Sequence, residues 1–301
     1  MIRLIPPMAL RKGSLLSFSA IAILAHIGSG RSGSSPPSVL AGNLEGASGA
    51  NAPTDSTPPI DESLAGDEYL RLGLPAYDRA WNHDDMAQAE FILAAVAQKG
   101  VAQLPRYRSK RSGEVFLRLI SKQNLESYDD AALPPAIRLR QALSHFGASN
   151  QIAKIYLKSF PKKDGRDTEL AELLGSHLEM TVVILQLLDE CLPTIAKNDP
   201  QYEKRIQELD QIRLGFEAVV FYYLRITTQT ESYRLTERMR LVDYMKDTFP
   251  LIIPKLSSDA SAECLRRLED MQDDPVLQDL QPGLGELQLR VKGTVERPEA
   301  P

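Results

Sequence analysis

Cysteine is almost absent: the 301 residues hold only Cys191 and Cys264. Two cysteines do not make a disulfide scaffold, and each sits in a helix pattern where a small apolar residue also fits, so both are expected to be free. Histidine is as scarce, with His26, His83, His145 and His177. A helical metal pair needs ligands three or four residues apart. Around His177 those positions are Leu173, Leu174, Met180 and Thr181; neither His83 nor His145 has a second His or carboxylate there. They read as a half-buried helix residue (His177) and as surface or capping residues (His83, His145). No metal and no cofactor is expected.

Charge of one sign is missing too. The net charge is −5, with 35 basic and 40 acidic residues, which gives no electrostatic reason to expect nucleic acid as a partner. No GxSxG elbow, P-loop or HExxH occurs. Gly28, Gly30 and Gly33 spell GxGxxG, but without the strand before and the helix after that a nucleotide fingerprint needs. The acidic pairs Asp84–Asp85, Asp129–Asp130, Asp189–Glu190 and Asp273–Asp274 are sequence neighbours, which on a helix do not face each other across a cleft. They read as caps and solvated faces. The sequence therefore points away from an enzyme.

No apolar run is long enough to span a bilayer. The longest, Ser14 to Gly28, has 15 residues against the roughly 20 that a spanning helix needs. It follows the basic start Arg3, Arg11 and Lys12 and precedes the small residues Gly28 and Gly30, the three-part layout of an export signal. Residues 1–30 are thus read as a cleaved signal, with an uncleaved N-terminal anchor as the alternative. The expected location is extracytoplasmic, periplasmic or secreted. Residues 31–60 follow as a disordered linker, since half of these positions are Gly, Ser or Pro.

What the sequence does have is helix periodicity. Leu170, Leu173, Leu174, Leu178, Val182, Leu185, Leu188 and Leu192 lie on one face of a helix starting at Asp167 or Thr168. Leu209, Ile212, Phe216, Val219, Val220, Tyr223 and Ile226 mark a second, opened by Asp199–Pro200. Leu235, Met239, Val242, Met245 and Phe249 mark a third, closed by Pro250 and Pro254. Faces of this kind must bury one another, so the fold class is all-α, an antiparallel helical bundle over residues 61–292. A short helix-pair subdomain on its N-terminal side and a hinge at 161–167 are weighed as internal divisions.

Upstream, shorter helices are expected at 62–72, from Pro75 through Trp81, after Asn82 or Asp84 as far as Lys99–Gly100, and after Ser112 as their cap. Another is opened by Pro135 and stopped by Gly147, and one more is capped by Ser149 or Asn150. A late helix holds Leu265, Leu268 and Met271. The segment 284–292 fits strand and helix equally, with helix favoured because no other segment offers a strand partner. Residues 293–301 are expected to be a loose tail. Phe221, Tyr222 and Tyr223 point around more than half a helix and are read as mostly core packing.

One stretch stands above the background. Arg106, Arg108, Lys110 and Arg111 place four positive charges in six residues, directly before Ser112–Gly113, where a helix is expected to start. Backbone N–H groups at a helix start, beside cations, suit an anion; the other reading is a solvated loop whose cations pair with nearby acids, as charge runs usually do. Two functions are carried forward: an exported, non-enzymatic interaction or scaffold protein whose partner is another protein, and a ligand-binding or sensing bundle that takes a small anionic ligand at 106–113.

Overall fold

The computed structural model describes residues 61–158, 167–230 and 233–295. The expected export signal, the linker and residues 161–166 of the expected hinge lie outside them. Among the described residues there are nine α-helices and no strand: α1 (Gly66–Arg71), α2 (His83–Lys99), α3 (Gly113–Leu119), α4 (Pro135–Lys158), α5 (Asp167–Cys191), α6 (Tyr202–Thr227), α7 (Leu235–Ile252), α8 (Ser258–Gln272) and α9 (Gln281–Val295). The fold is an all-α helical bundle. Neighbours pack in the order α2, α4, α5, α7, α9, α8, with α6 laid across α5, α7 and α8. One contiguous cluster of buried side chains runs from Tyr69 to Val291.

Helix α5 is the centre. Eighteen of its 25 residues are buried, including Leu173, Leu178, Ile184, Leu185 and Leu188. Contrary to the expectation that no apolar run is long enough, the stretch Asp167–Thr194 is long and apolar enough by composition to cross a membrane; 78% of an 18-residue part of it is buried inside the fold. It meets α7 so closely at Gly175 that a Cβ there would collide with the Tyr244 ring. The small residue lets two helices approach, and the Tyr244 hydroxyl then reaches Glu172 Oε2 at 2.7 Å.

Several helix boundaries differ from the sequence expectation. Helix α4 does not stop at Gly147 but runs unbroken to Lys158, so Ser149 and Asn150 are mid-helix residues rather than caps. A glycine costs a helix only about 1 kcal/mol, and burial of Leu139, Ala142, Leu143, Phe146, Ile152 and Tyr156 outweighs it. Helix α7 continues past Pro250. The missing proline N–H deprives the Lys246 carbonyl of its helical donor, and Arg290 of α9 approaches that carbonyl at 3.4 Å instead. The Pro75–Trp81 segment is an irregular turn, because Trp81 is held by tertiary bonds: its N–H donates to Asn124 Oδ1 and its indole N–H to the Ala76 carbonyl, both at 2.8 Å. Helix α6 begins at Tyr202, after a turn in which Gln201 N–H donates to Asp199 Oδ1 at 2.8 Å. The ambiguous segment 284–292 is helical within α9, which extends through Gly293 to Val295.

Two histidine expectations are also corrected. His177 and His145 are both fully buried, not half-buried and superficial. Ser149 Oγ lies 2.8 Å from His177 Nε2, and Tyr128 Oη lies 2.9 Å from His145 Nδ1. Both cysteines are free and buried, and burial pushes the Cys264 thiol up to about 12.

Candidate functional site

The basic loop 106–112 folds over the first turn of α5 and the start of α7. Its entry is fixed by Tyr156, whose hydroxyl donates to the Pro105 carbonyl at 2.7 Å. Its exit is built on Ser109. The Ser109 hydroxyl accepts the N–H of Arg111 at 2.9 Å and of Ser112 at 3.0 Å, and its carbonyl accepts the N–H of Gly113 at 2.9 Å. The same hydroxyl donates to Asp61. Burial works to raise the Asp61 carboxyl, but bonds from Ser109 and Ser63 and the charge of Arg111 outweigh it and hold it below the usual range.

Ser112 stands at the N-cap position of α3 but makes no capping bond with its side chain. Its hydroxyl accepts the Arg106 N–H at 3.0 Å and donates to Ser63 at 2.9 Å. Ser112 and Gly113 are buried. The Ser112 and Gly113 N–H groups at the helix start are thus engaged by Ser109, within the protein.

The four cations divide into two kinds. Arg106 Nε faces Glu169 Oε1 at 3.7 Å, and the neighbouring Tyr107 N–H donates to the same oxygen at 2.9 Å. Arg111 lies 3.7 Å from Glu68 and donates to the Asp61 carbonyl at 3.2 Å. Arg108 and Lys110 are exposed and make no ion pair among the described residues. Arg108 lies against the Tyr107 ring at 5.8 Å, and Arg240 of α7 approaches the same ring at 5.7 Å.

Beneath the loop lies a network that the sequence did not reveal. Asp167, Glu169, Glu172 and Glu237 are all buried. Four buried carboxylates are costly unless paired. Arg234 binds Asp167 through Nε and Nη2 together. Arg240 Nη1 contacts Glu172 at 2.9 Å and Glu237 at 3.2 Å. Thr168 donates to Glu237 at 2.9 Å, and Tyr244 to Glu172. Burial first, then the bond to Glu172, raises the Tyr244 hydroxyl well above its ordinary value. Glu169 had a signal in sequence, as an acid in the first turn of a helix, but that signal speaks of the helix dipole and not of a partner 62 residues away.

Two clefts border the loop. One, of about 300 Å³, is lined by Asp61, Arg106, Arg108, Thr168, Glu169 and Arg234. The other, of about 510 Å³, is lined by Asp67, Tyr77, Arg108, Lys110, Arg111 and Glu114. Tyr107, Arg108 and Ser109 border both. Glu169, which lines the first, has its Oε2 buried and without a hydrogen-bond partner among the described residues.

A different feature lies between α4, α5 and α6. A cavity of about 30 Å³ is lined by Phe146, Asn150, Leu174, His177, Tyr222 and Tyr223, among others. Its size admits one or two waters. The Asn150 Nδ2 group beside it is buried and has no hydrogen-bond partner among the described residues. Tyr223 is core, its hydroxyl donating to the Leu174 carbonyl at 2.8 Å, whereas Phe221 lies under the Arg267 guanidinium at 4.6 Å.

No family model, no curated protein and no solved structure matches the chain.

Proposed function

We propose that the chain is an exported, non-enzymatic interaction protein that binds an anionic group of a partner protein at the 106–113 loop. The observation that carries this reading is the division among the four cations. Arg106 and Arg111 are held by acids or carbonyls of the fold, while Arg108 and Lys110 are exposed and make no ion pair among the described residues. Exposed cations without an ion pair are open to an incoming anion, and the loop that carries them is anchored at Ser109, Tyr156 and Glu169. The network underneath serves as a rigid base, which spares an incoming partner the entropy of ordering the site. Export rests on the layout of residues 1–30.

A pull-down from the extracytoplasmic fraction, run with wild type and with Arg108→Ala/Lys110→Ala, tests the reading. A protein captured by the wild type and lost by the variant, at an unchanged melting temperature, is expected. Capture that is equal in both would move the contact elsewhere. N-terminal sequencing of exported material should start near residue 31, and a full-length cytoplasmic product would end the export claim.

A further inference from the structure

We infer that a second copy of this chain docks on the outer face of α2, the two helices running antiparallel about a two-fold axis at Phe91. The surface uses no residue of the 106–113 loop, and the inference does not depend on the anion reading. Helix α2 stands at one end of the packing order, with α4 as its main neighbour. Its inner face is buried through Met86, Ala89, Leu93 and Val96. The opposite face is in water, and Phe91 in its middle is 74% exposed.

A single apolar side chain in water is ordinary on a protein surface. What distinguishes Phe91 is the order of the residues around it. Asp84 and Gln98 stand seven residues to either side, and Ala87 and Ala95 stand four. At 3.6 residues per turn all four fall within about 40° of Phe91 around the helix axis. All four are exposed. Between Asp84 and Lys99 the exposed positions are Ala87, Gln88, Phe91, Ala95 and Gln98, none of them charged. The other acids of the helix are turned elsewhere. Asp85 is buried and pairs with Arg79 at 2.7 Å, and Glu90 is half-buried in the field of Lys154 of α4.

A two-fold contact requires that where residue i touches residue j, j also touches i. An antiparallel copy centred on Phe91 meets this at every step. Ring meets ring at the centre. Each Ala87 lies opposite Ala95 of the second copy, and these small side chains leave room for the two rings to pack side by side. Asp84 lies opposite Gln98 and Lys99 of the second copy, so an acid meets a base at both ends of the contact. Asp84 is exposed, with His83 Nε2 at 3.6 Å, and Lys99 is exposed and makes no ion pair among the described residues. The antiparallel helix dipoles attract as well. A parallel copy would set Asp84 on Asp84 and Lys99 on Lys99, and opposed like charges disfavour that arrangement. An unrelated partner has no reason to match this symmetry, whereas a second copy carries it by construction. One helix face is small for a specific interface, so self-association is expected with a Kd of roughly 10–100 µM.

Sedimentation equilibrium of the full chain over roughly 1–300 µM tests the inference. The wild type is expected to dimerise, and Phe91→Ser to raise the Kd about tenfold or more. Asp84→Lys and Lys99→Asp should each weaken self-association. Mixed together, these two variants should dimerise with each other, because the antiparallel pairing then sets lysine against aspartate at both ends. Circular dichroism at the same temperature confirms that each variant is folded. A wild type that stays monomeric throughout overturns the inference. A dimer that survives Phe91→Ser overturns α2 as its face. A dimer that is lost in Phe91→Ser but not restored in the mixture overturns the antiparallel pairing. A monomer that holds a different protein through Phe91 assigns the face to that partner and overturns self-pairing.

Discussion

The Tyr107 backbone N–H donates to Glu169 Oε1 at 2.9 Å, joining the basic loop to the first turn of the central helix across 62 residues. This bond separates the part of the loop that the fold needs from the part that it leaves free. Removing one partner of a buried charged set leaves the other uncompensated, which costs about 3–5 kcal/mol when burial is complete and less when one side is wet. Glu169→Ala should therefore lower stability by about 2–4 kcal/mol in chemical denaturation. Arg108→Ala/Lys110→Ala should change it by under about 0.5 kcal/mol, as for surface residues without partners. Equal effects would refute the division.

Acid should weaken the fold through two histidines. Burial depresses His145 to about 3, with His177 and His83 adding to the effect, and depresses His177 to about 4 against an opposing bond from Ser149. An unfolded histidine titrates near 6.5. Below that pH the unfolded chain takes up protons that the folded chain refuses, so stability falls as pH drops from about 6.5 toward 4. The two together should remove roughly 3–5 kcal/mol by pH 4.5. Raised carboxyls at Glu90 and Glu179 act in the opposite sense. A variant with His145→Asn and His177→Gln keeps the ring-nitrogen hydrogen bonds but not the titration. Its denaturation midpoint should be flatter over this window, and an unchanged slope would show that other groups dominate.

Asn150 breaks the apolar stripe of α4 and leaves Nδ2 buried, without a partner among the described residues, beside the cavity of about 30 Å³. Asn150→Leu removes that unmet group and fills part of the space. A gain of about 0.5–2 kcal/mol is expected in thermal or chemical unfolding, the range seen for cavity filling. A loss would mean that the amide has a bonded water whose removal matters more than the added packing.

Leu185 is fully buried in the middle of α5. Leu185→Ala should cost about 2–5 kcal/mol, transfer and cavity together. A loss under about 1 kcal/mol, measured by denaturation of the pair, would contradict the central place of α5.

Sequence by itself determined the helices and most of their inner faces. Leu178, Leu185, Phe216, Val242 and Phe249 are buried because a 3.6-residue period in apolar side chains leaves no other way to remove them from water. It also marked the loop at 106–111, since charge density is a local property. Tertiary structure decided what local signals cannot carry. Gly147, Ser149, Asn150 and Pro250 each look like a helix end, yet α4 and α7 run through them because packing against neighbours outweighs a cost of about 1–3 kcal/mol per residue. The burial of His145 and His177, and the sorting of the four cations into two held and two free, depend on Tyr128, Ser149, Glu68 and Glu169. Those partners come from other segments, and only the closed fold brings them within a hydrogen bond.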